Sequence, residues 1–129
     1  MAKKEYSGIN IQWPISELIL TGKKTIETRT YPIPNHYLNK EMILIETPGK
    51  KGNFKSRMRG IILFTDCFEY ENKSAFYKDS KKHCVTPNSE WAWIDKPKWG
   101  WKVEIKKLFP KPLPLQKRAG IKFSRGIFL

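Results

Sequence analysis

The sequence predicts an α+β domain built on a small mixed β-sheet or barrel, with few and short helices. Three observations predict it. Most apolar residues fall in short alternating or continuous runs of strand length. Helical spacing occurs only in brief stretches, never in the long blocks that alternate with strands in a doubly wound fold. The chain has 129 residues, 40% of them apolar and 13% aromatic, enough for one domain with a real core and not for two. We therefore read residues 1–129 as a single domain.

Each element has its own warrant. Residues 8–12 alternate and read as a strand. Pro14 suits the first turn of a helix and Gly22 its end, with Ile15, Leu18 and Ile19 forming one apolar stripe between them. That helix, residues 14–21, is too short to stand without packing. Residues 24–29 are rich in β-branched side chains and read as the next strand. Pro32 and Pro34 end it by removing ladder donors. Residues 42–46 form an apolar strand, followed by a turn-rich basic loop at 48–53. Residues 60–68 give the strongest strand, and its continuous apolar run predicts a central position. Asn72-Lys73-Ser74 can start a helix that carries Ala75, Phe76 and Tyr77 and frays near residues 81–82. Residues 83–89 read as a loop. Trp91-Ala92-Trp93 reads as a short strand with both rings on one face. Residues 99–108 alternate as a half-buried strand. Pro110, Pro112 and Pro114 suit an extended edge segment. The tail, residues 119–129, is spaced for a further strand or turn.

Charge narrows the function. Lys and Arg number 25 against 12 Asp and Glu, a net charge of +13. The excess is not spread evenly. Residues 50–60 hold Lys50, Lys51, Lys55, Arg57 and Arg59 with no acid, and residues 96–129 hold ten basic groups against one acidic. Such a distribution points to an anionic partner, most often nucleic acid, or else to a basic solvated surface. No apolar run is long enough to cross a bilayer, and no apolar stretch follows Lys3-Lys4 as in a signal peptide. Cys67 and Cys84 give no disulfide framework, so we expect free thiols in a reducing cytoplasm. His83-Cys84 with Cys67 matches no zinc spacing, and no metal or other cofactor is expected. As neighbours in an extended segment, His83 and Cys84 point apart and make a poor nucleophile pair.

The densest polar group is Gly22-Lys23-Lys24-Thr25-Ile26-Glu27-Thr28-Arg29. Alternation puts Glu27 and Arg29 on one face, roughly 7 Å apart at about 3.3 Å per residue. Lys24 falls on the other face by strict counting, but it follows a glycine turn that leaves its direction open. Converging on one cleft, the three can bind a polar ligand edge or a phosphate, or support proton transfer if burial lowers the lysine pKa. The plainer alternative is an exposed ion pair on an edge strand.

The run Ile9-Asn10-Ile11-Gln12-Trp13-Pro14, followed by Leu18-Ile19-Leu20 and this segment, resembles the opening of ASCH domains, in the PUA-like superfamily. Gly22, Lys24, Glu27 and Arg29 match that family's Gly-x-Lys-x-x-Glu-x-Arg pattern. Residues 60–67 resemble its central strand, Trp101-Lys102-Val103-Glu104-Ile105 with Leu108 and Pro112-Leu113-Pro114 its closing strand and exit, and Gly120-Ile121-Lys122-Phe123 its terminal Gly-Leu-Trp-like element. The resemblance implies a small mixed β-barrel flanked by short helices, with a cleft bordered by Lys24, Glu27 and Arg29. It implies an RNA- or nucleotide-binding module. One bacterial branch of the family hydrolyses the amide of acetylcytidine nucleosides with a Lys and a Thr of the motif and a downstream Glu. By position that Lys is Lys24, while Glu27 stands where the Thr would be; Thr25 and Thr28 lie nearby, and Glu69, Glu71 and Glu90 are candidates for the downstream Glu. An amidohydrolase of acylated nucleosides, or a ribonuclease using Lys24 and Glu27, is thus the enzymatic alternative.

Aromatic and basic residues complete the expected binding set. Trp13 can stack on a base or anchor the core. At least half of Trp91, Trp93, Trp99 and Trp101 should be buried, and the others, interleaved with Lys96, Lys98 and Lys102, can line a nucleic-acid surface. Lys50, Lys51, Lys55, Arg57 and Arg59, read as one mobile loop over residues 50–59, can hold phosphates. The expected partner is RNA or a nucleoside or nucleotide, single-stranded where it is RNA.

Overall fold

A computed structural model describes residues 3–115 and 122–129. The strands are β1 (Glu5–Gln12), β2 (Ile26–Arg29), β3 (Glu41–Thr47), β4 (Arg57–Glu69), β5 (Trp99–Pro114) and β6 (Phe123–Phe128). The helices are α1 (Ile15–Leu20), α2 (Lys73–Lys78) and α3 (Ser80–His83), with a 3-10 turn at Asn35–Tyr37. The strands form one six-stranded sheet in the order β2-β5-β4-β3-β1-β6. β1 and β3 run parallel and every other pair is antiparallel, so the sheet is mixed as expected. β4 lies in its interior, as its apolar run predicted.

The expected barrel is a correction: the sheet stays open, with β2 and β6 at its edges. β2 is only four residues long and, among the described residues, ladders with β5 alone. On the open side a side chain reaches from β2 to β1, Arg29 Nη2 donating to Asn10 O at 3.2 Å.

β3 explains why the core has two faces. Met42 and Leu44 point into the main cluster with Ile9, Ile11, Ile19, Ile62, Phe64 and Trp101. Ile43 and Ile45 point the other way, against Met58, Ile61 and Ile127. A strand covered on both sides loses the polar-apolar alternation of a solvated one. Gly60 in β4 is needed at the β-bulge beside β5, because a Cβ there would run into the Lys107 carbonyl oxygen. A third, smaller cluster of Tyr70, Phe76 and Val85 seats α2 and α3.

Several boundaries move. The helix expected over residues 72–82 is two, broken at Asp79; Asn72 caps α2 by accepting the Ala75 N–H at 2.8 Å. Residues 91–93 form no strand; Trp93 packs on Phe76, and its N–H donates to Tyr77 Oη at 3.1 Å. The basic loop ends at residue 56, so Arg57 and Arg59 belong to β4. The prolines 110, 112 and 114 continue β5 beyond the reach of β2, which covers only Trp99–Lys102. The tail strand is present as β6, but Gly120 and Ile121 lie outside the described residues. No helix among those described is long and apolar enough to cross a membrane.

Candidate functional site

The site begins at the end of α1. Gly22 takes φ +81°, a left-handed conformation that only glycine adopts without strain. The turn lets Gly22 N–H donate to Ile19 O and Lys24 N–H to Leu18 O, at 3.0 and 2.8 Å. Lys24 therefore precedes β2, which starts at Ile26, and strand counting does not govern its direction. Thr25 N–H then donates to Lys82 O at 2.8 Å, fastening this segment to α3.

From these positions Lys24, Glu27 and Arg29 converge. Lys24 and Glu27 are only 4% and 5% exposed. Lys24 Nζ donates to the His83 carbonyl and sits 3.6 Å from Glu27 Oε1. Glu27 Oε2 accepts from Arg29 Nη2 at 3.1 Å, and Oε1 from the Thr28 N–H at 3.1 Å. Arg29 is held further by Tyr31 Oη at 3.1 Å, and its guanidinium lies 5.5 Å from the Trp101 ring centroid.

Charge and burial set the protonation of this group. Burial opposes the Glu27 anion, but Arg29 and Lys24 together hold its pKa below the ordinary 4.5. Burial likewise opposes the Lys24 ammonium, and there it prevails over the attraction of Glu27, so the lysine titrates below 10.5. Burial also opposes the Arg29 cation, which its Glu27 and Tyr31 contacts more than offset. Two cations thus share one carboxylate, a surplus positive charge in a nearly dry place.

The three residues line one cleft of about 440 Å³, together with Trp13, Trp91, Lys50 and Lys51. Its far wall comes from the segment after α3, Cys84, Val85, Ser89, Glu90 and Trp91, of which Val85 and Ser89 carried no signal in the sequence. His83 shapes that wall. The buried imidazole faces Phe76 O through Nε2 at 2.6 Å, accepts the Val85 N–H on Nδ1 at 3.0 Å, and stacks on Phe76. Burial pushes its pKa below 6.5. Cys84, at φ 62°, turns the chain toward the cleft.

The other predicted residues divide. Trp13 and Thr28 border the cleft. Of Glu69, Glu71 and Glu90, only Glu90 does. Lys55 is exposed on the 48–56 loop. Arg57 and Arg59 do not line the cleft; they meet at Glu46, whose carboxylate is fully buried. Arg57 Nε reaches Glu46 Oε1 at 2.7 Å, Arg59 Nη1 reaches Glu46 Oε1 at 2.9 Å and Glu17 Oε1 at 2.7 Å, and Ser16 Oγ donates to Glu46 Oε2 at 2.6 Å. This network ties α1 to β3 and β4. Of the remaining tryptophans, Trp101 is fully buried, Trp93 and Trp99 are half-buried, and Trp91 is 40% exposed.

Two solved structures share this architecture. The crystal structure of ASCH from Zymomonas mobilis matches with a TM-score of 0.62 and 14% identity, over 85% of this chain and 73% of that one. A serine-to-alanine variant of ZmASCH from the same organism matches with a TM-score of 0.61 and 13% identity, over 88% and 76%. No protein-family model matches the chain, and no curated protein matches it in sequence. At such identities the likeness is one of fold, and the fold is that of ASCH structures.

Proposed function

We propose that this ASCH-fold chain is a nucleic-acid-binding module whose cleft takes an unpaired base. The observation that carries the reading is the Lys24–Glu27–Arg29 group at the base of a cleft that Trp13 and Trp91 also line. An indole face suits any base and contributes about 1–3 kcal/mol per stack. A carboxylate offers about four acceptor positions. Two hydrogen bonds already end on Glu27, from the Thr28 N–H and Arg29 Nη2, with Lys24 3.6 Å away, which leaves acceptor capacity for an amine or amide of a base edge. Lys24 and Arg29 add the positive surplus that suits a base carbonyl. Lys50 and Lys51 at the rim, Lys55 on the same loop and the basic C-terminal quarter would follow the sugar–phosphate backbone. A base inside a duplex cannot enter a cleft of this kind, so single strands are favoured.

The test is titration of a single-stranded RNA oligomer and its duplex, followed by tryptophan fluorescence at two salt concentrations. The expected result is preference for the single strand, affinity that falls steeply with salt, and a loss of about tenfold or more for Trp91→Ala. Affinity indifferent to both salt and Trp91 would overturn the reading.

A second reading rests on Lys24 and Glu90 facing the same cleft. A lysine whose pKa burial lowers can act as a base, and a nearby carboxylic group can carry the proton onward. The reaction class would be hydrolysis of an acylated nucleoside, with Thr28 and Ser89 supplying hydroxyl groups along the cleft, or cleavage of RNA. Release of acetate from acetylcytidine, abolished by Lys24→Met, would favour the enzyme; RNA binding without turnover favours the module.

A further inference from the structure

We infer that the Trp13 wall of the cleft leads outward to a phosphate subsite at Arg57, which makes the ligand a phosphodiester strand and not a free nucleoside. Only the base-binding half of this inference rests on the reading above. Trp13 borders the cleft and meets Phe54 edge to face, with ring centroids 6.2 Å apart and planes at 78°. The guanidinium carbon of Arg57 lies 3.9 Å from the Phe54 centroid. Arg57 is therefore two ring contacts from the cleft.

Its geometry is that of an anion clamp already in place. Stacking on Phe54 fixes one face of the guanidinium plane, and the 2.7 Å bond from Nε to buried Glu46 fixes its rotation. Among the described residues, Nη1 and Nη2 meet no acceptor, while the side chain is 31% exposed. A planar fork with two free donors matches two oxygens of a phosphate, and a fork held still loses little entropy on binding. Arg59 is the contrast two residues on. Its Nη1 meets both Glu17 and Glu46, and although its Nη2 also meets no acceptor among the described residues, its side chain is the less exposed of the two, at 20% against 31%. The loop between cleft and clamp carries Lys50, Lys51 and Lys55 and no acid, so a phosphate chain passing along it meets no like charge.

The probe is an abasic ribose–phosphate oligomer, which has a backbone and no bases, followed by fluorescence anisotropy over a range of salt. Wild-type protein should bind it, and Arg57→Gln should weaken that binding about tenfold and flatten the log–log salt slope by about 0.7. Phe54→Leu, which leaves the Glu46 contact intact, should weaken it about threefold; this variant keeps the test valid if Arg57→Gln folds poorly. Failure of wild-type protein to bind the abasic oligomer overturns the subsite, as does binding that neither substitution changes. An abasic oligomer bound through Arg57, with an unpaired base adding nothing to affinity, sinks the base cleft and leaves the phosphate subsite standing.

Discussion

Two carboxylates lie almost equally deep in this protein, and their surroundings differ in one respect. Glu46 meets Arg57 and Arg59, and Arg59 also meets Glu17, so two cations face two anions. Glu27 meets Lys24 and Arg29 with no second acid, so two cations face one anion. The balanced group fastens α1 to the sheet and leaves only the outer edge of Arg57 open. The unbalanced group borders a cleft. Ion pairs built from the same residue types thus differ in what they leave over: almost no net charge at Glu46, and one positive charge beside a hollow at Glu27.

The largest test of that contrast is Glu27→Gln. It leaves the buried Lys24 and the largely buried Arg29 without a carboxylate partner, and loss of about 3 kcal/mol or more is expected at neutral pH. Glu46→Gln should cost less, about 2 kcal/mol, because Arg59 keeps Glu17 and the more exposed Arg57 can turn to water. Urea unfolding of both variants gives the order; a larger loss at Glu46 would break the comparison.

Acid titration gives the next effect. The folded pKa of His83 lies below 6.5, and those of Glu27 and Glu46 lie below 4.5. Burial is the cause at His83; at Glu46, hydrogen bonds from Ser16, Arg57 and Arg59 outweigh the opposing burial. For each group the unfolded chain binds more protons over the interval between the two values, so lowering the pH favours unfolding. The stability that these three groups contribute should be full above pH 6.5, begin to fall below it as His83 of the unfolded chain takes up its proton, and fall again below 4.5. A urea midpoint that stays constant from pH 6.5 down to 4 would contradict this assignment. The smallest effect belongs to Lys102 and Asp66, 3.9 Å apart and both more than half exposed. Lys102→Ala should change stability by less than about 0.5 kcal/mol.

Much of this was legible in the residues. Glycine at position 22, the helix stripe before it and the period-2 spacing of Glu27 and Arg29 foretold the motif, because those signals act over a few residues. The apolar run of β4 foretold its interior place. What the pattern hid depends on distant pairing. Glu46 ends an apolar strand, and its partners lie 11 and 13 residues further along. Arg57 and Arg59 alternate as strand residues do, a sign that they belong to β4 and not to the loop. The far wall of the cleft is irregular chain, seated by Val85, His83 and Trp93 against α2, and no local periodicity marks it. Sheet closure was illegible for a similar reason, since β2 is too short to announce which neighbour it lacks.

One consequence remains in the long strand β5. Past Lys102 its outer margin has no neighbouring strand among the described residues, which on a flat apolar segment would invite a foreign chain to add itself. Here that margin carries Lys106, Lys107 and Lys111 among three prolines with no N–H to offer. An incoming strand would meet repulsion and missing donors together. That border therefore resists the addition of a second copy's strand.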